Sequence, residues 1–68
     1  MTDKEAITAF KEKAPIVHKH GTDEVNYSKI SALIYRLESG KLDMTVELLD
    51  KNSNCITIAR PKEVYIRG

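Results

Sequence analysis

Apolar and polar residues alternate after residue 40, first over 41–50 and again over 54–59. Four apolar residues occupy every second position of the first segment: Leu42, Met44, Val46 and Leu48. A period of two places successive side chains on opposite faces of a strand. The polar residues 50–54 predict a turn, because Asn and Asp tolerate left-handed backbone and bond their own main chain. We therefore predict strands at 41–50 and 54–59, and a last short strand at 63–67 after Pro61.

The segment 2–13 has the spacing of an amphipathic helix. Its apolar residues lie on one side, three and four positions apart: Ala6, Ile7 and Phe10. Thr2 followed by Glu5 matches a capping box, in which each side chain bonds an otherwise unpaired amide of the first turn. Pro15 disfavours helical backbone at the residue before it, so it ends the helix. A helix of three turns needs to dock on other elements to persist.

Residues 25–37 fit both a helix and a strand. As a helix they would place apolar residues at spacings of three and four, with Gly40 as the C-terminal cap. As a strand, one face would carry Ile30, Ala32 and Ile34, and the other Tyr27, Leu33, Tyr35 and Leu37. We favour the strand, because residues 38–40 form a loop of hairpin length and the next strand follows at once. A strand with two apolar faces needs cover on both, and the helix at 2–13 would supply one cover.

These elements predict an α+β fold, mainly β, in a single domain spanning 1–68. An N-terminal helix over 2–13 precedes a small five-stranded antiparallel barrel or strongly bent sheet over 15–67, with further strands at 15–19 and 25–37. Closing the barrel would remove exposed sheet edges. The alternative fold has two helices on a three-stranded meander.

Composition narrows the class of protein. The chain has 68 residues, of which 41% are apolar and 31% charged, so it is of the soluble globular type. No apolar run approaches the roughly 20 residues that a membrane helix needs. One cysteine and no signal-like N-terminus predict a cytoplasmic protein. Eleven basic against ten acidic residues give a net charge of +1, which argues against strong non-specific binding to nucleic acid.

Residues 25–66 resemble SH3-like and Tudor-like small barrels in the layout of their strands. The stretch reads YSKISALIYR…GKLDMTVELLDKNSNCITIARPKEVYI. An apolar strand leads through a hairpin to a strand that ends near an Asp; a turn, a β-branched strand and a last strand follow. The chain is also similar to small uncharacterised proteins of bacterial chromosomes and mobile elements, which carry runs close to ISALIYR and VELLDKN. The barrel resemblance implies a binding module rather than an enzyme.

The residues themselves carry no catalytic or nucleotide signature, and we expect no enzyme activity and no cofactor. The predicted function is a non-catalytic interaction module or accessory protein with an unknown protein partner. The alternative is a small barrel that binds nucleic acid through basic side chains around an aromatic one, as in single-strand platforms. Its candidate contacts are Lys29, Arg36, Arg60, Lys62, Tyr65 and Arg67. These gather at one end if the last strand pairs near residues 28–36.

Two further features invite a chemical interpretation. His18 and His20 would face the same way on a strand, and Asp23 or Glu24 could add a carboxylate for a metal ion. We interpret the histidines as solvent-exposed residues at a strand end and expect no metal site. Cys55 has no histidine near it in the sequence, so we interpret it as a small, partly buried residue and not as a nucleophile.

Overall fold

The computed structural model describes residues 1–52 and 55–67. Within these ranges the chain forms one α-helix, six strands and a short 3₁₀ helix. The α-helix and strands are α1 (Asp3–Glu12), β1 (Ile16–His20), β2 (Asp23–Tyr27), β3 (Lys29–Glu38), β4 (Lys41–Leu49), β5 (Ile56–Ala59) and β6 (Val64–Ile66). The 3₁₀ helix, Pro61–Glu63, lies between β5 and β6. A first sheet has the order β2–β1–β6 and a second sheet the order β3–β4–β5, both antiparallel. The predicted mainly β, α+β class is confirmed.

Helix α1 begins at the predicted capping box. The Thr2 hydroxyl accepts a hydrogen bond from the Glu5 amide at 3.1 Å, and the Glu5 carboxylate accepts one from the Thr2 amide at 2.8 Å. These bonds to Thr2 hold the pKa of Glu5 below its ordinary value. The helix ends where Lys13 takes left-handed backbone, with φ of 55°. No helix in the described part of the chain is long and apolar enough to cross a membrane.

Residues 25–37 are extended, as predicted, but they bend at Ser28. β2 pairs with β1, whereas β3 pairs with β4, so the chain passes from the first sheet to the second at this point. The Ser28 amide and hydroxyl both donate to the Leu49 carbonyl oxygen, at 2.8 and 3.3 Å. A strand that changes sheets has to bend. The helical alternative for 25–37 is wrong, and so are two details of the prediction: the described strands number six rather than five, and the sheets do not close into a barrel.

β2 starts two residues earlier than predicted. The turn between β1 and β2 consists of Gly21 and Thr22 alone, since His20 already pairs with Asp23. Gly21 has a φ of 64°, a conformation that glycine adopts without steric cost and that tight hairpin turns of this length use. Asp23 therefore belongs to the strand and not to the turn.

The turn after β4 contains the expected side-chain bond. The Asn52 amide donates to the Asp50 carboxylate at 3.1 Å, as a turn around an Asp predicts. Ser53 and Asn54, which complete the predicted polar turn, lie outside the described residues. β5 begins at Ile56.

A bulge at Ser31 changes which side chains of β3 face the core. Ile30 and Ala32 both pair with residues of β4, but Ser31 between them has no cross-strand partner. One inserted residue reverses the alternation, so Ile30 lies on the same face as Leu33. The prediction that Ile30 shares a face with Ala32 and Ile34 is therefore wrong. Ile30 is fully buried, with 1% of its surface exposed.

The core lies between the two sheets and under α1. Its buried side chains are Ala6, Ala9, Ile16, Ile30, Met44, Val46, Leu48, Ala59 and Val64. β4 supplies three of them at alternate positions, which confirms the predicted apolar face of that strand. The Tyr27 and Thr57 hydroxyls, 2.9 Å apart, join β2 of the first sheet to β5 of the second.

Helix α1 docks on its own chain. Ala6 and Ala9 are completely buried, and the helix packs against β3. The N-terminal ammonium of Met1 donates to the carbonyl oxygens of Pro61 and Val64 at 2.9 and 3.1 Å. The helix thus covers one open side of the core, on the face of β3 that carries Ile30 and Leu33.

Candidate functional site

The outer half of the β3–β4 hairpin exposes three large apolar side chains, Tyr35, Leu37 and Leu42, which we call the hairpin patch. Their exposed fractions are 49%, 74% and 69%. Tyr35 pairs with Met44, and Leu37 pairs with Leu42, so all lie on one face of the hairpin. Met44 is the last buried residue of that face. The hairpin patch is therefore the uncovered continuation of the core-forming face.

The lengths of the strands leave the patch uncovered. β5 pairs with β4 only between Val46 and Leu49, so the third strand of the sheet stops before the outer half of the hairpin. The hairpin itself continues to a two-residue turn at Ser39 and Gly40, whose φ angles are 50° and 76°. Positive φ at both turn residues matches the right-handed twist of the strands and keeps the ladder intact to its end.

Charged residues of both signs lie on the opposite face of the outer hairpin and beside Leu42. Arg36 pairs with Asp43 on the opposite face of the hairpin, and Glu38 pairs with Lys41 beside the turn. Arg60 lines a shallow depression together with Leu42 and Asp43. An exposed apolar group with charged residues beside it is typical of protein interaction sites.

A second group of exposed apolar side chains lies on the outer face of the second sheet. Ile56 and Ile58 of β5 are 57% and 47% exposed. Ile58 pairs with Glu47, and the Ser31 hydroxyl donates to that carboxylate at 2.8 Å. A hydrogen-bonded carboxylate thus adjoins the isoleucines, which makes this face less apolar than the hairpin patch.

The residues predicted to contact nucleic acid are distributed over several regions. Arg60 and Lys62 line one depression, Lys29 lines a second and Arg67 a third. Arg36 lies on the hairpin face that Tyr35 and Leu37 do not use. These residues would have gathered at one end only if the last strand paired near residues 28–36, which belong to β3. In the structure β6 pairs with β1 instead.

Tyr65, the aromatic member of that predicted set, is engaged within the fold. Its hydroxyl donates a hydrogen bond to the Glu24 carboxylate at 2.8 Å. This bond favours the protonated phenol and raises the pKa of Tyr65. β1 lies between β6, which carries Tyr65, and β2, which carries Glu24. The tyrosine side chain therefore extends across β1, on the same face as its cross-strand partner Val17. The Val17 side chain is buried.

Lys29 instead belongs to a basic groove between α1 and the start of β3. The residues that line this basic groove include Phe10, Lys11, Lys13, Lys29 and Ile30. The C-terminal end of α1 places Lys11 and Lys13 close to Lys29. The order of residues alone did not indicate this proximity. Ser31 also lines the groove, and its hydrogen bond to Glu47 places one carboxylate close by.

His18 and His20 lie on the same face of β1, with ring centroids 6.1 Å apart. The carboxylate that the structure brings to them is that of Glu63, and not that of Asp23 or Glu24. One ligand atom from each of the three residues lies within 4.8 Å of the other two. Glu24 is on the opposite face of its sheet, bonded to Tyr65. The prediction that the two histidines face the same way is confirmed, but His18 is half-buried rather than solvent-exposed, and the sequence did not indicate Glu63.

Cys55 is exposed, so the prediction of a partly buried side chain is wrong. The residue precedes β5 instead of starting it, and for this reason it does not enter the alternation that buries Ala59.

Comparison of this chain with protein-family models, with curated proteins and with solved structures gives no match. The side-chain geometry is therefore the basis for a functional proposal.

Proposed function

We propose that this protein is a non-catalytic interaction module that binds a protein partner through the hairpin patch. The observation that carries the proposal is the exposure of Tyr35, Leu37 and Leu42 on one continuous face. Burying a leucine side chain is worth about 1.5–3 kcal/mol, so the two leucines together offer roughly 3–6 kcal/mol of binding free energy before ordering costs.

The edge of the second sheet suggests the form of the partner. β3 lies at the edge of that sheet, and β4 is its strand neighbour. An extended partner segment could add to such an edge, with main-chain hydrogen bonds for affinity and alternate side chains for specificity. Apolar residues at every second position of that segment would contact Tyr35 and Leu37. The proposed occupant is therefore a strand-like protein segment with alternating apolar residues.

An SH3-like type of fold is part of this proposal. Three features support it: the bend at Ser28 where the chain passes from β2 in one sheet to β3 in the other, a 3₁₀ helix before the last strand, and the pairing of that last strand with the first. Small folds of this type commonly serve as binding modules, although the fold alone does not define what is bound. The proposed kinship with small proteins of bacterial chromosomes and mobile elements is supported by the ISALIYR and VELLDKN runs. A cytoplasmic location is supported by the free, exposed thiol of Cys55, which reducing compartments preserve.

The double variant Leu37→Lys/Leu42→Glu tests this function. The two positions face each other across the ladder, so the new charges are opposite in sign and the hairpin is preserved. Loss of roughly 3–6 kcal/mol of apolar burial predicts at least a hundredfold weaker binding of the partner. Quantitative mass spectrometry of proteins captured from the cells that make this protein should show at least one partner lost with the variant.

The matched control is Ile58→Lys, which places a charge at the other exposed apolar face. The control is expected to capture the same partner as the unchanged protein. Thermal unfolding should be nearly the same for all three proteins, because the altered side chains are exposed. Identical captured proteins from all three would contradict the role of the hairpin patch.

Nucleic-acid binding is the second candidate function, and the basic groove is the observation that favours it. Lys11 and Lys13 line this groove with Lys29, one of the six candidate contacts, and with the partly buried ring of Phe10. Lysines around an aromatic ring suit a single strand, whose phosphates they neutralise and whose bases stack. The adjacent Glu47 carboxylate and the net charge of +1 make this function second to protein binding.

Salt dependence distinguishes the two functions. If the basic groove binds single-stranded DNA, the affinity for an oligonucleotide should fall steeply as salt is raised. A plot of the logarithm of the binding constant against the logarithm of the salt concentration should have a negative slope of about 0.7 for each phosphate neutralised. Lys11→Gln/Lys13→Gln/Lys29→Gln should then reduce this slope by about 2, whereas Lys51→Gln, outside the groove, should leave the slope unchanged. Binding that is insensitive to salt, or a slope that the triple variant leaves unchanged, would eliminate the groove as a nucleic-acid site.

A further inference from the structure

We propose that His18, His20 and Glu63 form a binding site for a divalent transition-metal ion of the zinc class. The site is independent of the hairpin patch. Each residue offers one ligand atom, and these atoms all lie within 4.8 Å of one another. Among residues 1–52 and 55–67, this is the one group of three potential ligands with such spacing.

The topology of the first sheet brings the three residues together. His18 and His20 are two positions apart on β1, so both imidazoles extend from the same face. β6 runs antiparallel to β1, and His18 pairs with Val64. Glu63, the residue before Val64, ends the 3₁₀ helix and is thereby placed beside the histidine-bearing end of β1.

Hydrogen bonding within the 3₁₀ helix holds the Glu63 carboxylate in position. Its Oε1 accepts a hydrogen bond from the Arg60 amide at 3.0 Å. The second carboxylate oxygen takes no part in this bond. A carboxylate that is fixed through one oxygen loses less conformational entropy when it binds a metal, and supporting bonds of this kind strengthen metal sites.

The His18 and His20 side chains differ in how freely they can rotate, so one can hold its position while the other moves to bind an ion. His18 is half-buried, with its ring centroid 6.4 Å from that of Tyr27, whereas His20 is exposed. In a tetrahedral zinc site with bonds of about 2.0–2.1 Å, neighbouring ligand atoms are about 3.3 Å apart. Separations of as much as 4.8 Å would contract by about 1.5 Å on binding, and rotation of the exposed His20 side chain brings its own ligand atom towards the other two.

The ligand set selects the class of ion. Two neutral imidazoles and one carboxylate suit zinc and its neighbours in the first transition row, whereas calcium and magnesium prefer oxygen ligands alone. Three protein ligands leave a fourth tetrahedral position for water or for a side chain of a partner. The expected site is therefore a zinc site with one exchangeable position.

Titration of the untagged full chain with zinc chloride tests the inference. We expect one equivalent to bind, with chemical-shift changes centred on His18, His20 and Glu63. His20→Ala and Glu63→Gln should each weaken binding by at least tenfold. Both variants are expected to fold, because His20 is exposed and the side-chain oxygen of a glutamine in place of Glu63 can still accept the Arg60 amide proton.

Glu24→Gln is the matched control, because this carboxylate belongs to the same sheet but lies on its other face. The control should bind zinc with unchanged affinity. A dissociation constant weaker than about 1 mM for the unchanged protein would overturn the inference. So would zinc binding that His20→Ala and Glu63→Gln leave intact, since the ion would then occupy a different part of the chain, such as the exposed Cys55.

Discussion

Replacing Leu48 by alanine is expected to lower the free energy of unfolding by about 2–5 kcal/mol. Leu48 is completely buried in the core on β4 and pairs with Ile30, which is itself buried. The loss combines the transfer free energy of the removed atoms with the cost of the cavity that they leave. A protein of this size has a total stability on the order of 5 kcal/mol, so the variant should retain only about 0–3 kcal/mol and unfold at a much lower urea concentration. Urea denaturation followed by circular dichroism measures the change.

Leu42→Ala is the matched control for Leu48→Ala. The same substitution is made on the same strand and the same face, but Leu42 is 69% exposed. The expected change is within about 0.5 kcal/mol. Equal losses at the two positions would mean that the core extends to the end of the hairpin, and the hairpin patch would not exist as a free surface.

The second large effect is expected at the interface between α1 and β3. Ala9→Leu adds three carbon atoms at a position with no exposed surface, in a helix that packs against β3. Overpacking of this kind costs about 1–3 kcal/mol, because side chains leave their preferred rotamers or the helix moves away from the sheet. The same urea titration measures it.

Thr8→Leu provides the comparison for Ala9→Leu. Thr8 is exposed on the same helix, and its hydroxyl bonds only the carbonyl oxygen of Lys4, one turn earlier. A change within about 0.5 kcal/mol is expected there, since leucine is the better helix former. If Ala9→Leu were equally well tolerated, α1 would not be docked on its own sheet in solution.

The local elements could be predicted from the sequence because they depend on neighbouring residues. The period of two in β4 and the capping box at Thr2 and Glu5 involve positions a few residues apart, and both are present in the structure. The bulge at Ser31 could not be predicted, since a serine between two apolar residues has no distinctive signal. That one inserted residue was enough to move Ile30 to the other face of its strand.

The candidate surfaces depend on longer-range features of the fold. The sequence predicts that Tyr35 and Leu37 share an apolar face of a strand that needs cover on both faces, with the helix at 2–13 as one cover. Their exposure depends on how far the hairpin extends beyond β5, which no local pattern encodes. A partial signal existed: Leu37 and Leu42 are placed symmetrically around the two-residue turn, which makes them a cross-strand pair on one face. Glu63 was missed because it is distant from the histidines along the chain and meets them only through the pairing of β6 with β1.

Hydrogen exchange of the protein bound to its captured partner tests the central claim most directly. We expect backbone amides of residues 35–42 to exchange more slowly in the complex, because the partner covers the hairpin patch, while those of β5 exchange as in the free protein. Protection confined to β5 or to the basic groove, with residues 35–42 unchanged, would contradict the assignment of the hairpin patch as the binding surface.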